Sequence, residues 1–403
     1  MSDAAPDDEV TRWLAAHARP VGVPDDDPEG GEDGVAAWVR AVAGARVVAL
    51  GPTVAGTREL AQLAGRVLAG LLLDGGVDTV ALQTGESATV ALDEYVRRGT
   101  GAVSSVLDVL GSWSWNTREV LDVVRRLAED PDPVRVVGVD PRRPTAAVRV
   151  VGRFLRATAP DVLPTVADAL SELALGYGDD ATRVAVDRVR ARLDRDVPAL
   201  VAATSPAQHA EAVRHAGFLA RAAELVAAPP AGVDAVAGRL MAEGVLDALA
   251  TGRPDGRLVL WAHADHVVVR DDPPTLGAHL REHLGDDYRA LLLTAGTGTT
   301  RAIRRRRLLG PARTPSTHRL GPPPDDTLEA QLLAGGTRDH VLDLRVPDVP
   351  PAVAAWADAT TSRRSVGDEV SAASPARAVV PCRPGAEVDG IGVVATVHPV
   401  WAR

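Results

Sequence analysis

Residues 45–60 read ARVVALGPTVAGTREL, and this stretch decides the fold. Its first six residues form a short, continuous, β-branched run, the pattern of a strand buried on both faces. From 57 to 73 the spacing becomes helical, with Leu60, Leu63, Val67, Leu68 and Leu71 on one side. Residues 51–56 therefore make a strand-to-helix turn, the place where α/β proteins usually put their working groups. Yet the turn offers Pro52, Val54 and Ala55, none of which can act as an acid or a base.

The same alternation recurs outward from this point. Strand-like runs stand at ARVVALG (45–51), DTVALQTG (78–85) and VRVVGVD (134–140), separated by helical patterns at 57–73, 86–98 and 117–129. That order implies right-handed crossovers and a mainly parallel sheet. From roughly 145 to 250 the β pattern disappears, and stretches such as DATRVAVDRVRARLDRD read as amphipathic helices. Strands resume with GRLVLWAHADH (256–266), YRALLLTAG (288–296), HVLDLR (340–345) and GIGVVATV (390–397). The expected fold class is α/β, a mainly parallel sheet flanked by helices with an inserted all-helical subdomain. Four parts are expected. Residues 1–35 hold an N-terminal helix (10–17) and a mobile acidic loop, VPDDDPEGGEDG; 36–144 and 251–403 are the two halves of the α/β core, and 145–250 is the helical insert.

Composition narrows the function. The chain has 403 residues, a net charge of −10 and one cysteine, Cys382, so neither an intramolecular disulfide nor a thiolate metal cluster is expected. All 44 basic residues are arginine, a compositional bias that says nothing of function. The acidic balance argues against a nucleic-acid partner, which needs a basic surface. The basic run RAIRRRRLLG (301–310) reads as a solvated helix face or a local anion contact. No segment has the length and apolarity of a membrane span, and the acidic N-terminus lacks the regions of a secretory signal. No membrane partner and a cytoplasmic location are expected.

In open parallel sheets ligands bind beyond the carboxyl ends of the strands. The ends of 45–51, 78–85, 134–140 and 256–263 are expected to line one cleft. The candidate catalytic residues are His263, His266, Glu86 and Asp140; Gly51, Pro52, Ala55, Arg58, Gln83, Trp113, Trp115, Arg142 and Asp265 are the candidate cleft residues. In WAHADH, two imidazoles with Asp265 between them suit a general base or one metal ligand, and equally a loop cap beside an exposed histidine. His263 lies two residues after Trp261, so strand alternation is expected to turn both to one face. Glu86 is expected as a first-turn carboxylate favoured by a helix dipole, and Asp140 as a turn cap. Trp113 and Trp115 read as core or as a ligand wall. No metal site is expected, because no second cluster has ligand spacing, and no cofactor is expected. No G-x-S-x-G follows a strand, and GTGTT (296–300) lacks the lysine of a phosphate loop.

Taken together, several motifs resemble the erythromycin esterase superfamily. The family's first-strand LGExTHGTxE stands here as LGPTVAGTRE (50–59), its ALEAG as ALQTG (81–85), and its WTWDTEEV as WSWNTREV (113–120). Its GFD stands as GVD (138–140) and its WAHNAHV as WAHADHV (261–267); LREHLGDDYRAL, RRSVGD and EVDGIGVV are similar as well. The resemblance implies metal-independent opening of a macrolactone ring by activated water. It also implies that the family's first-loop glutamate and histidine fall on Pro52 and Ala55, its basic helix residue near Ala64, and its second-strand glutamate on Gln83. The histidine of WAHNAH is kept as His263, and an acidic position is lost in AGRLMA (237–242). The expectation is a pseudoenzyme in which the cleft binds a bulky small molecule or a protein partner. The alternatives are a redirected hydrolase, lyase or cyclase acting on a secondary metabolite with a histidine base, and, third, a residual macrolide esterase.

Overall fold

The computed structural model describes residues 6–22, 33–304, 314–334, 339–370 and 375–403. The acidic loop expected before Asp33 and most of the RRRRLLG run lie outside them. In chain order the strands are β1 (Arg19–Pro20), β2 (Val47–Pro52), β3 (Val77–Gly85), β4 (Arg135–Asp140), β5 (Arg257–Trp261) and β6 (Tyr288–Arg304). They continue with β7 (Ser316–Arg319), β8 (His340–Asp343), β9 (Thr361–Arg364), β10 (Glu369–Val370), β11 (Val379–Cys382) and β12 (Gly390–Val397). The fold is mixed α/β, with a mostly parallel central sheet flanked by helices, as the alternation of strand and helix patterns predicts. The chain divides into two compact units, residues 1–80, 112–134 and 249–403 in the first and 81–111 and 135–248 in the second.

In the first unit the strand order is β1-β8-β12-β6-β2-β5. β2 runs parallel to β5 and β6, with Leu50 opposite Trp261 and Leu291, and β12 runs parallel to β6. β8 is antiparallel to β12 and β1 to β8. Val47, Val48, Ala49 and Leu50 are all buried, so β2 has no solvent face, which is why its sequence does not alternate. Helix Arg58–Asp74 buries Leu60, Leu63, Val67, Leu68 and Leu71, the stripe predicted from spacing, and Ala64 with them. Gly75, at φ +88°, ends it. β6 runs eight residues beyond the predicted end at 296, because its distal half pairs with β7 on one side and β10 on the other.

In the second unit β3 lies beside β4. Helix Val90–Arg98 is tied to β4 by two side chains: Asp93 Oδ1 accepts from the Val136 N–H (2.9 Å) and Thr89 Oγ1 from the Gly138 N–H (2.8 Å). Helices Thr145–Thr158, Leu163–Ala174, Asp180–Asp194, Val197–Ala203 and Pro206–Ala227 follow without a strand. Their apolar faces meet in a core that includes Val151, Leu155, Leu170, Leu173, Val186, Val189 and Leu219. Asp179 and Thr182 form a capping box that starts the third of them, and Ser205 caps the fifth.

Candidate functional site

Two groups of polar side chains stand where the strand ends were expected to carry chemistry, one in each unit. In the first unit, β2 and β5 are parallel neighbours, so Gly51 and His263 leave the same end of the sheet. A Cβ on Gly51 would lie 3.2 Å from Ala264 Cα, which brings the loop after β2 against the loop after β5.

The loop of residues 51–57 is held by its backbone. Thr53 N–H donates to Leu293 O (2.8 Å), Ala55 N–H to Val366 O (2.7 Å) and Val366 N–H to Thr53 O (2.8 Å). Thr300 Oγ1 donates to Ala55 O at 2.5 Å, and Arg301 N–H and Val400 N–H donate to Gly56 O at 3.1 and 3.0 Å. Thr57 Oγ1 turns back to Val54 O (2.9 Å). Thr53 also joins a buried chain: its hydroxyl meets Thr294 Oγ1 (2.9 Å), which donates to Glu329 Oε1 (2.6 Å), which accepts the Arg364 N–H (3.0 Å). Gly56 has φ +68°, and a Cβ there would lie 2.0 Å from Arg301 O and 2.7 Å from the Trp113 ring. Only glycine fits under that indole. The turn keeps its shape through glycine, threonine and backbone, while Pro52 and Ala55 sit half-buried without a titratable group.

Trp113 is set in place by Asp368, whose Oδ2 accepts from Ser112 Oγ (2.5 Å) and Ser114 Oγ (2.8 Å). Trp115 is buried edge-on to Trp261, ring centroids 5.5 Å apart, in the core. Arg58 leaves the loop to stack over Trp401, 4.3 Å from its ring centroid.

β5 ends at Trp261, so strand alternation does not extend to His263. His263 instead caps the short helix Ala264–Val267, its Nδ1 accepting the Asp265 N–H at 3.3 Å. Asp265 Oδ1 accepts from Arg363 Nη2 (2.8 Å) and Oδ2 from Ser365 Oγ (2.6 Å); His263 Nδ1 lies 3.6 Å from Oδ2. Burial works to raise the Asp265 pKa, but the charges of His263 and Arg363 and the hydrogen bonds from Ser365 and Arg363 hold it well below the usual carboxylate range. Asp265 is a fixed anion, not a base. His266 is half-buried within the helix, and its N–H donates to His263 O (3.0 Å).

In the second unit, Glu86 is not a first-turn carboxylate. The helix after it starts at Val90, and Glu86 sits in the preceding turn, its N–H donating to Asp140 O (3.2 Å). Its buried Oε1 accepts from Arg221 Nε (2.7 Å), and Arg221 Nη1 also donates to Asp247 (3.1 Å). Burial pushes the Glu86 pKa up to about 8; Arg221 opposes the shift, and Asp140 and Asp247 add to it. Asp140 caps its own turn, Oδ1 accepting the Arg142 N–H (2.9 Å), with Arg142 Nη1 3.5 Å away. Gln83 is half-buried on β3. Among the described residues no three His, Cys, Asp or Glu side chains are gathered as a metal would require.

A model of the erythromycin esterase family matches residues 74–397. The chain belongs to the erythromycin esterase family. A solved structure of a Bacillus cereus protein is similar at 19% identity and TM-score 0.78, covering 99% of this chain and 100% of that one. A solved succinoglycan biosynthesis protein is similar at 17% identity and TM-score 0.77, with 100% of both chains covered. A mutant of erythromycin esterase EreC in its open conformation is similar at 18% identity and TM-score 0.66, covering 90% of this chain and 93% of that one. At these identities the structures show a common fold. No curated protein matches.

Sequence reasoning missed Arg221, Arg363, Ser365 and Asp368 as partners of the site residues. Arg363, Ser365 and Asp368 fall in RRSVGD, quoted above for its family likeness, which was the available signal. Arg221 lies in an alanine-rich helix more than a hundred residues from Glu86, and nothing local marks it.

Proposed function

We propose that this member of the erythromycin esterase family no longer hydrolyses macrolactones and that its site binds a bulky small molecule or a protein partner. The observation that carries this reading is the loop of residues 51–57. Its backbone is anchored at Thr53, Ala55 and Gly56, so the turn persists, but Pro52 and Ala55 replace the glutamate and histidine that the family resemblance implies. Water activation needs a general base within hydrogen-bond reach. The Asp265 carboxylate, 3.6 Å from His263 Nδ1, is already held by Arg363 and Ser365.

A second reading is a redirected enzyme that acts on a secondary metabolite, and one observation favours it: a partly buried histidine stands beside a carboxylate at a strand end. The two readings separate in one experiment. The purified chain is offered erythromycin and a set of simple esters and lactones, alongside His263→Ala and His266→Ala variants of matched stability. The first reading predicts no turnover that depends on either histidine. The second predicts turnover of some substrate that falls by about 10² to 10⁴ in His263→Ala and little in His266→Ala.

A further inference from the structure

We propose that residues 398–402, which follow β12, form a latch that joins the turn of residues 51–57 to the segment of residues 113–119, so that the two open and close together. As a gate, the latch rests on the reading that this turn borders the ligand site.

The same tripeptide begins two helices of the first unit. Thr57-Arg58-Glu59 opens helix Arg58–Asp74, and Thr117-Arg118-Glu119 opens helix Arg118–Glu129. The first N–H groups of a helix have no partner within it. Here the segment after β12 supplies one to each helix, and in the same way. The Arg58 N–H donates to His398 O (2.8 Å), and the His398 N–H donates to Glu59 Oε2 (2.7 Å). The Arg118 N–H donates to Trp401 O (3.1 Å), and the Trp401 N–H donates to Glu119 Oε1 (3.2 Å). Each helix start thus clasps one residue by both of its backbone groups. Between the clasps, the Val400 N–H donates to Gly56 O (3.0 Å), and Pro399 has no N–H to satisfy. The Trp401 ring takes a guanidinium from each helix: Arg58 lies 4.3 Å and Arg118 5.7 Å from its centroid, both within cation–π range.

The latch is held differently from the turn it closes. Thr53 and Ala55 donate into the sheet and its neighbour, to Leu293 O and Val366 O. In the latch Val400 is buried, but Trp401 is 50% exposed and the His398 side chain 55% exposed. Segments with few buried apolar contacts and exposed hydrogen bonds open at free energies well below that of global unfolding. One indole shared by two arginines makes that opening joint, because both guanidiniums lose their partner when Trp401 leaves. Gly56 lies directly under the Trp113 ring, so a turn released by Val400 shifts the seat of that indole too.

Native-state hydrogen exchange on the full chain, read at single-amide resolution, tests this. Trp401→Ala should speed exchange at both Arg58 and Arg118 by about tenfold, the order expected for losing two cation–π contacts. Thr53 and Ala55 should be unchanged. Glu59→Ala breaks only the clasp on His398, yet it should speed exchange at Arg118 as well as at Arg58. If each variant loosens only its own clasp, the contacts are separate and the latch is overturned. An increase at Thr53 and Ala55 as large as at Arg58 also overturns it, since the whole turn has then loosened. Turnover of erythromycin would remove the proposed function and leave the latch standing, while independent opening of the two clasps would do the reverse.

Discussion

Glu86 and His215 are both buried titratable groups of the second unit, and they draw its stability in opposite directions with pH. Glu86 has its pKa raised from 4.5 to about 8, chiefly by burial. The folded state therefore holds its proton more tightly than the unfolded chain does. The stability it confers is complete below about pH 4.5 and is lost as pH rises through 8. His215 is 1% exposed in the helical core, and neither ring nitrogen makes a hydrogen bond to any described residue. Burial, and then the charges of Arg214 and Arg153, lower its pKa from 6.5 to about 4. Its contribution is complete above pH 6.5 and is lost as pH falls towards 4. Urea unfolding across this range should show Glu86→Gln flattening the alkaline slope and His215→Leu the acid slope, each relative to wild type. Curves parallel to wild type would show that neither group is held as described. His215→Leu should also raise the midpoint in mild acid, because it removes two unsatisfied polar atoms from the core. Neither role is legible in the sequence: His215 is one polar residue in the helix Pro206–Ala227, and the glutamate's arginine is far along the chain.

At the scale of elements, β2 and β12 were legible because strands buried on both faces are written as unbroken apolar runs. GTGTTRAIR was not, since glycine and threonine read as loop until β7 and β10 supply partners. The ends of β6, β8 and β12 meet at Asp389, which is fully buried and accepts from Arg281 Nη2 (2.6 Å), Arg345 Nε (2.7 Å), the Ala290 N–H (2.8 Å) and Arg289 Nη1 (3.1 Å). The sequence shows this only as the likeness of REHLGDDYRAL and EVDGIGVV to the family. Asp389→Asn leaves three arginines facing one neutral amide. The expected loss is about 2–4 kcal/mol, at or below the range for a fully buried pair because the arginines are partly exposed. Thermal unfolding checks this; an unchanged midpoint would mean that the arginines are satisfied by solvent. Gly56→Ala should cost about 1–3 kcal/mol, from the positive φ and the contacts with Arg301 O and Trp113. A change in tryptophan fluorescence should accompany it as the indole is displaced.

For the whole molecule, the alternation of strand and helix patterns was enough to predict the mixed fold, and the matched family and similar structures agree with it. No helix is long and apolar enough to cross a membrane among the described residues. What composition and periodicity could not convey is which polar groups meet, because Asp265 with Arg363 and Glu86 with Arg221 are joined only by folding. The central proposal is that the strand-to-helix turn of residues 51–57 lacks the groups needed to open a lactone. The most direct measurement is mass spectrometry of erythromycin incubated with concentrated protein in ¹⁸O-labelled water. The account predicts that the lactone is recovered intact, with no label incorporated above a protein-free control. Repeated turnover, with one ¹⁸O in each ring-opened product, would contradict it.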